Sequence, residues 1–292
     1  LEDTYPEVTS VYAEEGTLAH NIAELKLKKA FIEPMGVRKF NSEMKKLQEQ
    51  ELYQEEMQGY TDAYVEYITK IMYSFKQKAY IAVEVKLDYS EYVPEGFGTA
   101  DCIIISENTL YVTDFKYGKG VPVYADNNPQ MMLYALGAYL KYSFLYPIEH
   151  IHMAIAQPRL DNFSEWALSV DELLRWAEST KLIAALAFEG KGEFNPGEHC
   201  RFCKAKAQCR ARAEKNLSLE EFERALPPLI SNAEVGEYLS KAQDLVKWVK
   251  DLEKYAHEAL LNGEDIPGWK LVEGRSNRVI TEIDKAFARL IE

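Results

Sequence analysis

The sequence contains no run of about 18 apolar residues, so an ordinary membrane-spanning helix is excluded. It shows no secretory signal pattern, which makes the cytoplasm the expected compartment. It has no low-complexity tract and no internal repeat, which argues against a disordered chain or a solenoid. Basic residues are outnumbered: 34 Lys and Arg stand against 47 Asp and Glu, a net charge of -13. Such a chain has no global attraction to nucleic acid, so any contact with it needs a local basic groove or divalent ions that offset carboxylates. Cysteine is scarce, at four residues. Cys102 stands alone in an apolar stretch, whereas Cys200, Cys203 and Cys209 fall close together. Without export signals, such clustering points to metal rather than disulfides. The chain opens on Leu1 instead of Met, so residues ahead of it are expected.

What is present is a patterned globular chain, 47% hydrophobic and 28% charged, long enough for one large domain or two smaller ones. Helical spacing predicts helices over residues 14–31, 41–57 and 61–79. The period then shortens. Residues 80–88 (YIAVEVKLD) alternate and are β-branched, which predicts a strand. Residues 89–98 read as a turn-rich loop, and 101–106 and 110–116 as two further strands joined by a tight turn at Glu107-Asn108. A helix over 129–144, strands over 151–157 and 165–170, and a helix from Asp171 to Phe188 follow. The remainder is mainly helical, with a capping-box spacing at Ser218 and Glu221, a long amphipathic pattern over 235–261 and a short hairpin over 267–280. The expected fold is α/β, with a helical C-terminal extension.

Four charged residues among the apolar strands stand out. Asp114 and Lys116 are two apart and so share one face of a strand. Asp101 opens the partner strand of the same hairpin, and Glu84 lies on the strand before it. Carboxylates converging at strand ends make an oxygen-ligand site for Mg²⁺ or Mn²⁺, and a neighbouring ammonium can stabilise charge on a phosphate or orient water. The plain alternative is a solvated polar face. Against it, the flanking strands are apolar, and unpaired ions there cost several kcal/mol. Gly98 leaves room for a close approach. Gly16 and His20, and Gln130 and Tyr134, are each one helical turn apart.

HCRFCKAKAQC (residues 199–209) has C-x2-C-x5-C spacing, which suits Zn²⁺ or an iron–sulfur cluster; three uncoordinated thiols are the alternative. Arg201, Lys204, Lys206, Arg210, Arg212 and Lys215 lie in or near this segment, and Arg38, Lys39, Lys45 and Lys46 form another basic group. Each is a candidate track for a nucleic-acid backbone or a solvated face.

Taken in order, EEGTLAH (14–20), GTAD (98–101), DFK (114–116) and QMMLY (130–134) resemble the RecB-like branch of the PD-(D/E)xK nucleases, with the nearest likeness to phage- and prophage-encoded exonucleases. The likeness covers about residues 11–215, and GWKLVEGRSNR (268–278) is similar to the same phage group. It implies a restriction-endonuclease-like core, a central mixed sheet flanked by helices, within residues 1–215, and a helical extension over 216–292. It implies that His20, Asp101 and Asp114 hold Mg²⁺ or Mn²⁺ with the Phe115 carbonyl, that Glu84 is a further ligand, and that Lys116 is the catalytic lysine. Gln130 and Tyr134 would contact DNA or brace the site. Relatives close this domain with a 4Fe–4S cluster, which implies such a cluster on Cys200, Cys203 and Cys209. Its fourth cysteine, absent before His20, is expected ahead of Leu1.

The activity so implied is a metal-dependent DNA exonuclease in phage recombination or DNA processing, acting on single- or double-stranded ends, with a recombinase or helicase as partner and no membrane. A catalytically silent DNA-binding scaffold keeping the same fold is the alternative.

Overall fold

The structure, a computed structural model, describes residues 10–217 and 232–272. The expected Ser218–Glu221 capping box lies outside them, as does most of the expected hairpin. Residues 267–272, its described part, are not in a strand. The chain forms two compact units, one over Val8–Glu193 and one from Phe194 onward. The cysteine segment falls in the second.

In the first unit, α1 (Val11–Leu27) begins at Ser10, whose hydroxyl accepts the Ala13 amide. Its buried stripe is Leu18, Ala19, Ile22, Ala23 and Leu27, and a π turn (Lys28–Ile32) extends it. The helix expected over 41–57 starts and ends earlier, as α2 (Val37–Gln48), and the one expected over 61–79 likewise, as α3 (Glu56–Ser74). Between them the Tyr53 amide bonds to the Gln50 carbonyl and reverses the chain, which brings α3 against α1. No Gly or Pro marks the end of α2, so the first expected helix ran past it to residue 57.

The strands are β1 (Tyr80–Asp88), β2 (Phe97–Ser106), β3 (Thr109–Phe115), β4 (His150–Gln157) and β5 (Asn162–Ser169), paired in the order β1-β2-β3-β4-β5. β3 and β4 are parallel and every other pair is antiparallel. β2 begins earlier than expected because Phe97 and Gly98 pair with Asp88 and Leu87. Glu107 and Asn108 both have positive φ, the backbone of a type I′ two-residue turn. α4 (Pro129–Tyr142) provides the crossover that a parallel pair requires, and α5 (Val170–Phe188) follows β5. α1 and α3 cover one face of the sheet, where Ile22, Met57, Tyr64 and Ile68 pack with Cys102, Ile104 and Phe115. α4 and α5 cover the other, where Met131, Leu136 and Leu173 pack with Ile103, Val112 and Met153. The class is α/β: a mixed five-stranded sheet flanked by helices.

One departure from regular pleating shapes everything that follows. On β1, Ile81 and Val83 pack toward α1 and α3, but Val85 and Leu87 pack toward α4. A regular strand keeps residues two apart on one face. Glu84, between them, absorbs the change with φ of 52°, a left-handed conformation that costs a non-glycine residue about 1 kcal/mol or more. β2 changes face at the same level: Cys102 and Ile104 pack toward α1 and α3, Ala100 toward α4, and Asp101 sits at the change. Val83 pairs with Cys102 and Val85 with Ala100, so Glu84 and Asp101 occupy matching places on neighbouring strands.

The second unit, in its described part, has a 3-10 turn (Glu198–Phe202), α6 (Arg210–Leu217) and α7 (Asn232–Leu261). Arg212 is buried, with Nη2 3.0 Å from Asp244 Oδ1 and Nη1 2.8 Å from Asp251 Oδ2. Asn216 Nδ2 donates to Asp244 Oδ2 at 3.2 Å, and Trp248 Nε1 to the Ala207 carbonyl at 3.2 Å. The basic cluster read from the sequence as a candidate DNA track is therefore partly internal: Arg212 is a core cation, Lys206 pairs with Asp251, and Lys215 donates to the Pro196 carbonyl.

Candidate metal centre

Among the described residues, His20, Glu84 and Asp101 bring three ligand atoms within 4.8 Å of one another. Each comes from a different element: His20 from the inner half of α1, Glu84 from the left-handed residue of β1, and Asp101 from the switch point of β2. Asp101 joins them. Its Oδ1 lies 3.1 Å from His20 Nδ1, and its Oδ2 accepts the Phe115 amide at 2.6 Å. The β2–β3 ladder stops at Cys102–Thr113 although both strands continue. Its register would next set Asp101 beside Asp114 and Ala100 beside Phe115. The Asp101 side chain instead takes the Phe115 amide that a continued ladder would give to a backbone carbonyl.

Phe115 anchors the arrangement from beneath. Its ring stacks on Tyr64 at 4.9 Å and meets the His20 ring edge-on at 5.3 Å, and Tyr64 Oη lies 2.9 Å from Thr113 Oγ1. The imidazole is thus set by an aromatic floor on one side and a carboxylate on the other.

Asp114 lies outside the group of three. With Lys116 it turns toward α4. Lys116 Nζ is 2.9 Å from Asp114 Oδ2 and hydrogen-bonds to Oδ1 at 3.3 Å and to Gln130 Oε1 at 3.2 Å. Gln130 Nε2 donates to Tyr134 Oη at 2.9 Å. Gln130 and Tyr134 therefore brace the ammonium. Asn128 caps α4 by accepting the Gln130 and Met131 amides, which fixes where Gln130 begins. The Asn-Pro pair at 128–129 is the sequence signal for this helix start, where the helix was expected to begin.

Gly98 completes this brace. A Cβ there would lie 2.5 Å from Tyr134 Cε1 and 3.1 Å from Tyr89 Oη. The space expected to admit a backbone or ligand is filled by the Tyr134 ring. Gly98→Ala is expected to push Tyr134 off Gln130 and, on the function proposed below, to lower activity by about ten- to a hundredfold, the usual cost of losing a supporting contact. Steady-state kinetics on the folded variant checks this, and an unchanged rate would show that the Tyr134–Gln130–Lys116 chain is dispensable.

The electrostatics fit a cation. Burial, reinforced by the Asp101 charge, pushes the Glu84 carboxyl up to about 7. Burial pushes Asp114 up to about 6 against the opposing pull of Lys116. Burial works against protonated His20, but the hydrogen bond and charge of Asp101 outweigh it and the imidazole is raised. Lys116 is likewise raised, since Asp114 more than offsets burial. Asp114 Oδ2 is buried, and the Lys116 ammonium 2.9 Å away is its charge partner.

A pH prediction follows. The folded state holds protons on Glu84 and Asp114 at pH values where the unfolded chain has released them. Stability therefore falls as pH rises from the ordinary carboxylate range through about 6 to 7, and the raised His20 extends the loss upward. A divalent cation held by these groups would replace those protons. Chelator-treated protein is expected to lose Tm between pH 5 and 8, and Mn²⁺ to restore it at pH 8 but scarcely at pH 5. Scanning calorimetry on the parent and Glu84→Gln reads this; equal Mn²⁺ shifts at both pH values would contradict it.

Cys200, Cys203 and Cys209 are half-buried and form no disulfide, and among the described residues they contribute to no group of three ligand atoms within 4.8 Å. No helix among the described residues is long and apolar enough to cross a membrane.

Fold and site together define a class: a mixed α/β sheet whose disrupted centre holds a histidine–carboxylate group beside a braced lysine. The chain belongs, over residues 1–292, to the family described as "Protein of unknown function (DUF2800)". It is also similar to a solved structure described as "Crystal structure of SSO0001", at 15% identity and a TM-score of 0.26, over 66% of this chain and 85% of that one. A likeness at that level carries no argument about function.

Proposed function

We propose that the protein is a metal-dependent deoxyribonuclease of the RecB-like PD-(D/E)xK type, acting in the cytoplasm on DNA ends during phage recombination or DNA processing. The observation that carries this reading is the meeting of His20, Glu84 and Asp101 within 4.8 Å beside Lys116. His20, Glu84 and Asp101 would hold a Mg²⁺ or Mn²⁺ ion, with Asp114 and the Phe115 carbonyl as the remaining expected ligands. When bound, such an ion lowers the pKa of water and neutralises charge on a scissile phosphate.

The chain's own groups supply the rest. Asp101 orients the His20 ring and keeps it on the site. Asp114 and Gln130 hold the Lys116 ammonium, so that its charge faces a phosphate oxygen or an attacking water without rotamer search. The half-buried setting strengthens that interaction over its value in bulk water. The 4Fe–4S cluster on Cys200, Cys203 and Cys209 and the recombinase or helicase partner belong to the same reading and rest on sequence resemblance alone.

The test is a time course on end-labelled linear and closed-circular DNA with Mg²⁺, Mn²⁺ or EDTA. Metal-dependent shortening from an end supports an exonuclease. Cut circles would replace that mode with an endonuclease, and no cleavage in either metal would remove the catalytic reading.

A further inference from the structure

Beyond the candidate metal centre, the β1–β2 ribbon continues with one face that no other described residues bury. Because both strands have changed faces, Val85, Leu87 and Ala100 pack toward α4, and the place of a Gly98 side chain is taken by the α4 ring of Tyr134. The alternating residues Lys86, Thr99 and Phe97 then lie on the opposite face, beyond Glu84 and Asp101. Lys86 pairs with Thr99 across the ladder, and Phe97 with Asp88. Lys86 is exposed, Thr99 half-exposed and Phe97 81% exposed. Leading away from the cation site there is thus an ammonium beside a hydroxyl, then a bare aromatic ring about 13 Å from Asp101 by the strand rise.

The ring is firmly mounted. The Phe97 carbonyl accepts Tyr89 Oη at 2.6 Å, and the Tyr89 amide bonds back to the Gly96 carbonyl. Asp88, the ladder partner of Phe97, gives its carboxylate to the Ser90 amide at 2.8 Å. A phosphate is therefore favoured beside Lys86 and Thr99 and disfavoured beside Asp88, which leaves Phe97 to meet a base. A cation that tracks the backbone followed by a ring that stacks a base is the chemistry of single-strand binding.

We infer that Lys86, Thr99 and Phe97 form the path of one unpaired DNA strand at the metal centre, with a phosphate at Lys86 and Thr99 and a base stacked on Phe97. This rests on the nuclease reading for the strand's destination, but it is tested without turnover. Fluorescence anisotropy with a labelled 20-nucleotide single strand and its blunt duplex, in Ca²⁺ in place of Mg²⁺, measures binding alone. Phe97→Ala is expected to weaken single-strand binding about tenfold, within the range for losing one stacked base, and to leave duplex binding unchanged. Phe97→Trp should retain the affinity. Lys86→Ala should reduce the salt dependence of log K by a slope of about 0.7, one phosphate's share on a single strand. All three side chains point to solvent or its edge, so circular dichroism should show every variant folded. A parent that prefers duplex, or Phe97→Ala that binds single strand like the parent, overturns the inference. Phe97-dependent binding by a protein that never cleaves in Mg²⁺ or Mn²⁺ supports the strand path while removing the nuclease reading.

Discussion

Asp101→Asn is expected to lower metal-dependent DNA cleavage by at least about a thousandfold, or about 4 kcal/mol of transition-state stabilisation. Asparagine keeps the size of the side chain, and its carbonyl can still accept the Phe115 amide, so the local backbone survives. What it loses is the charge. Asp101 contacts His20 and the Phe115 amide, and its field raises Glu84 and reaches Asp114. Neutralising it removes one ligand and reduces the pull on a cation from the whole group. Part of the loss should therefore appear as weaker Mn²⁺ activation and part as a lower rate at saturating metal. Lys116→Met is the useful comparison: it should spare metal affinity and lower the rate alone. Should Asp101→Asn at saturating Mn²⁺ cleave within tenfold of the parent, the assigned centre is wrong.

Arg212→Ala is expected to destabilise the second unit by about 3 kcal/mol, the lower end of the cost of breaking a buried charge pair. The lower end applies because Asp244 is partly exposed and water can solvate it once the arginine is gone. Three things are lost together: the bridge between Asp244 and Asp251, the hydrogen bond to the Lys206 carbonyl, and the volume of a side chain left 1% exposed. Lysine is a poor substitute, since one ammonium does not reproduce the forked contact with two carboxylates. Hydrogen exchange with mass spectrometry should show lost protection across α6 and α7 while the strands of the sheet keep theirs. Unchanged protection in α6 would mean that other contacts hold the helix pair.

The sequence made the strands legible because their alternation and β-branched residues are local signals. The hairpin turn at Glu107-Asn108 was legible for the same reason, and from it the neighbourhood of Asp101 and Asp114. His20 and Lys116 were placed by motif order, and both fall at the site. The finer ligand geometry was not legible. Of the expected ligands, Glu84 joins His20 and Asp101 within 4.8 Å, whereas Asp114 lies outside that group, because the ladder ends one step before it would face Asp101. Nothing local announces a glutamate with positive φ; the conformation is imposed by packing on both faces of the ribbon. The end of α2 was misplaced by several residues because charge continues past it with no Gly or Pro to mark the stop. Arg212 looked like one more member of a basic run because its partners, Asp244 and Asp251, lie a whole helix away in sequence. Long-range pairing of that kind leaves no periodic trace.

The carboxylate of Asp101 also acts as a latch. It grips an amide that the two strands would otherwise use to zip together, and so keeps a gap open in the middle of the sheet. The same carboxylate would hold a cation at the candidate site, so the parting of the strands and that site depend on one side chain.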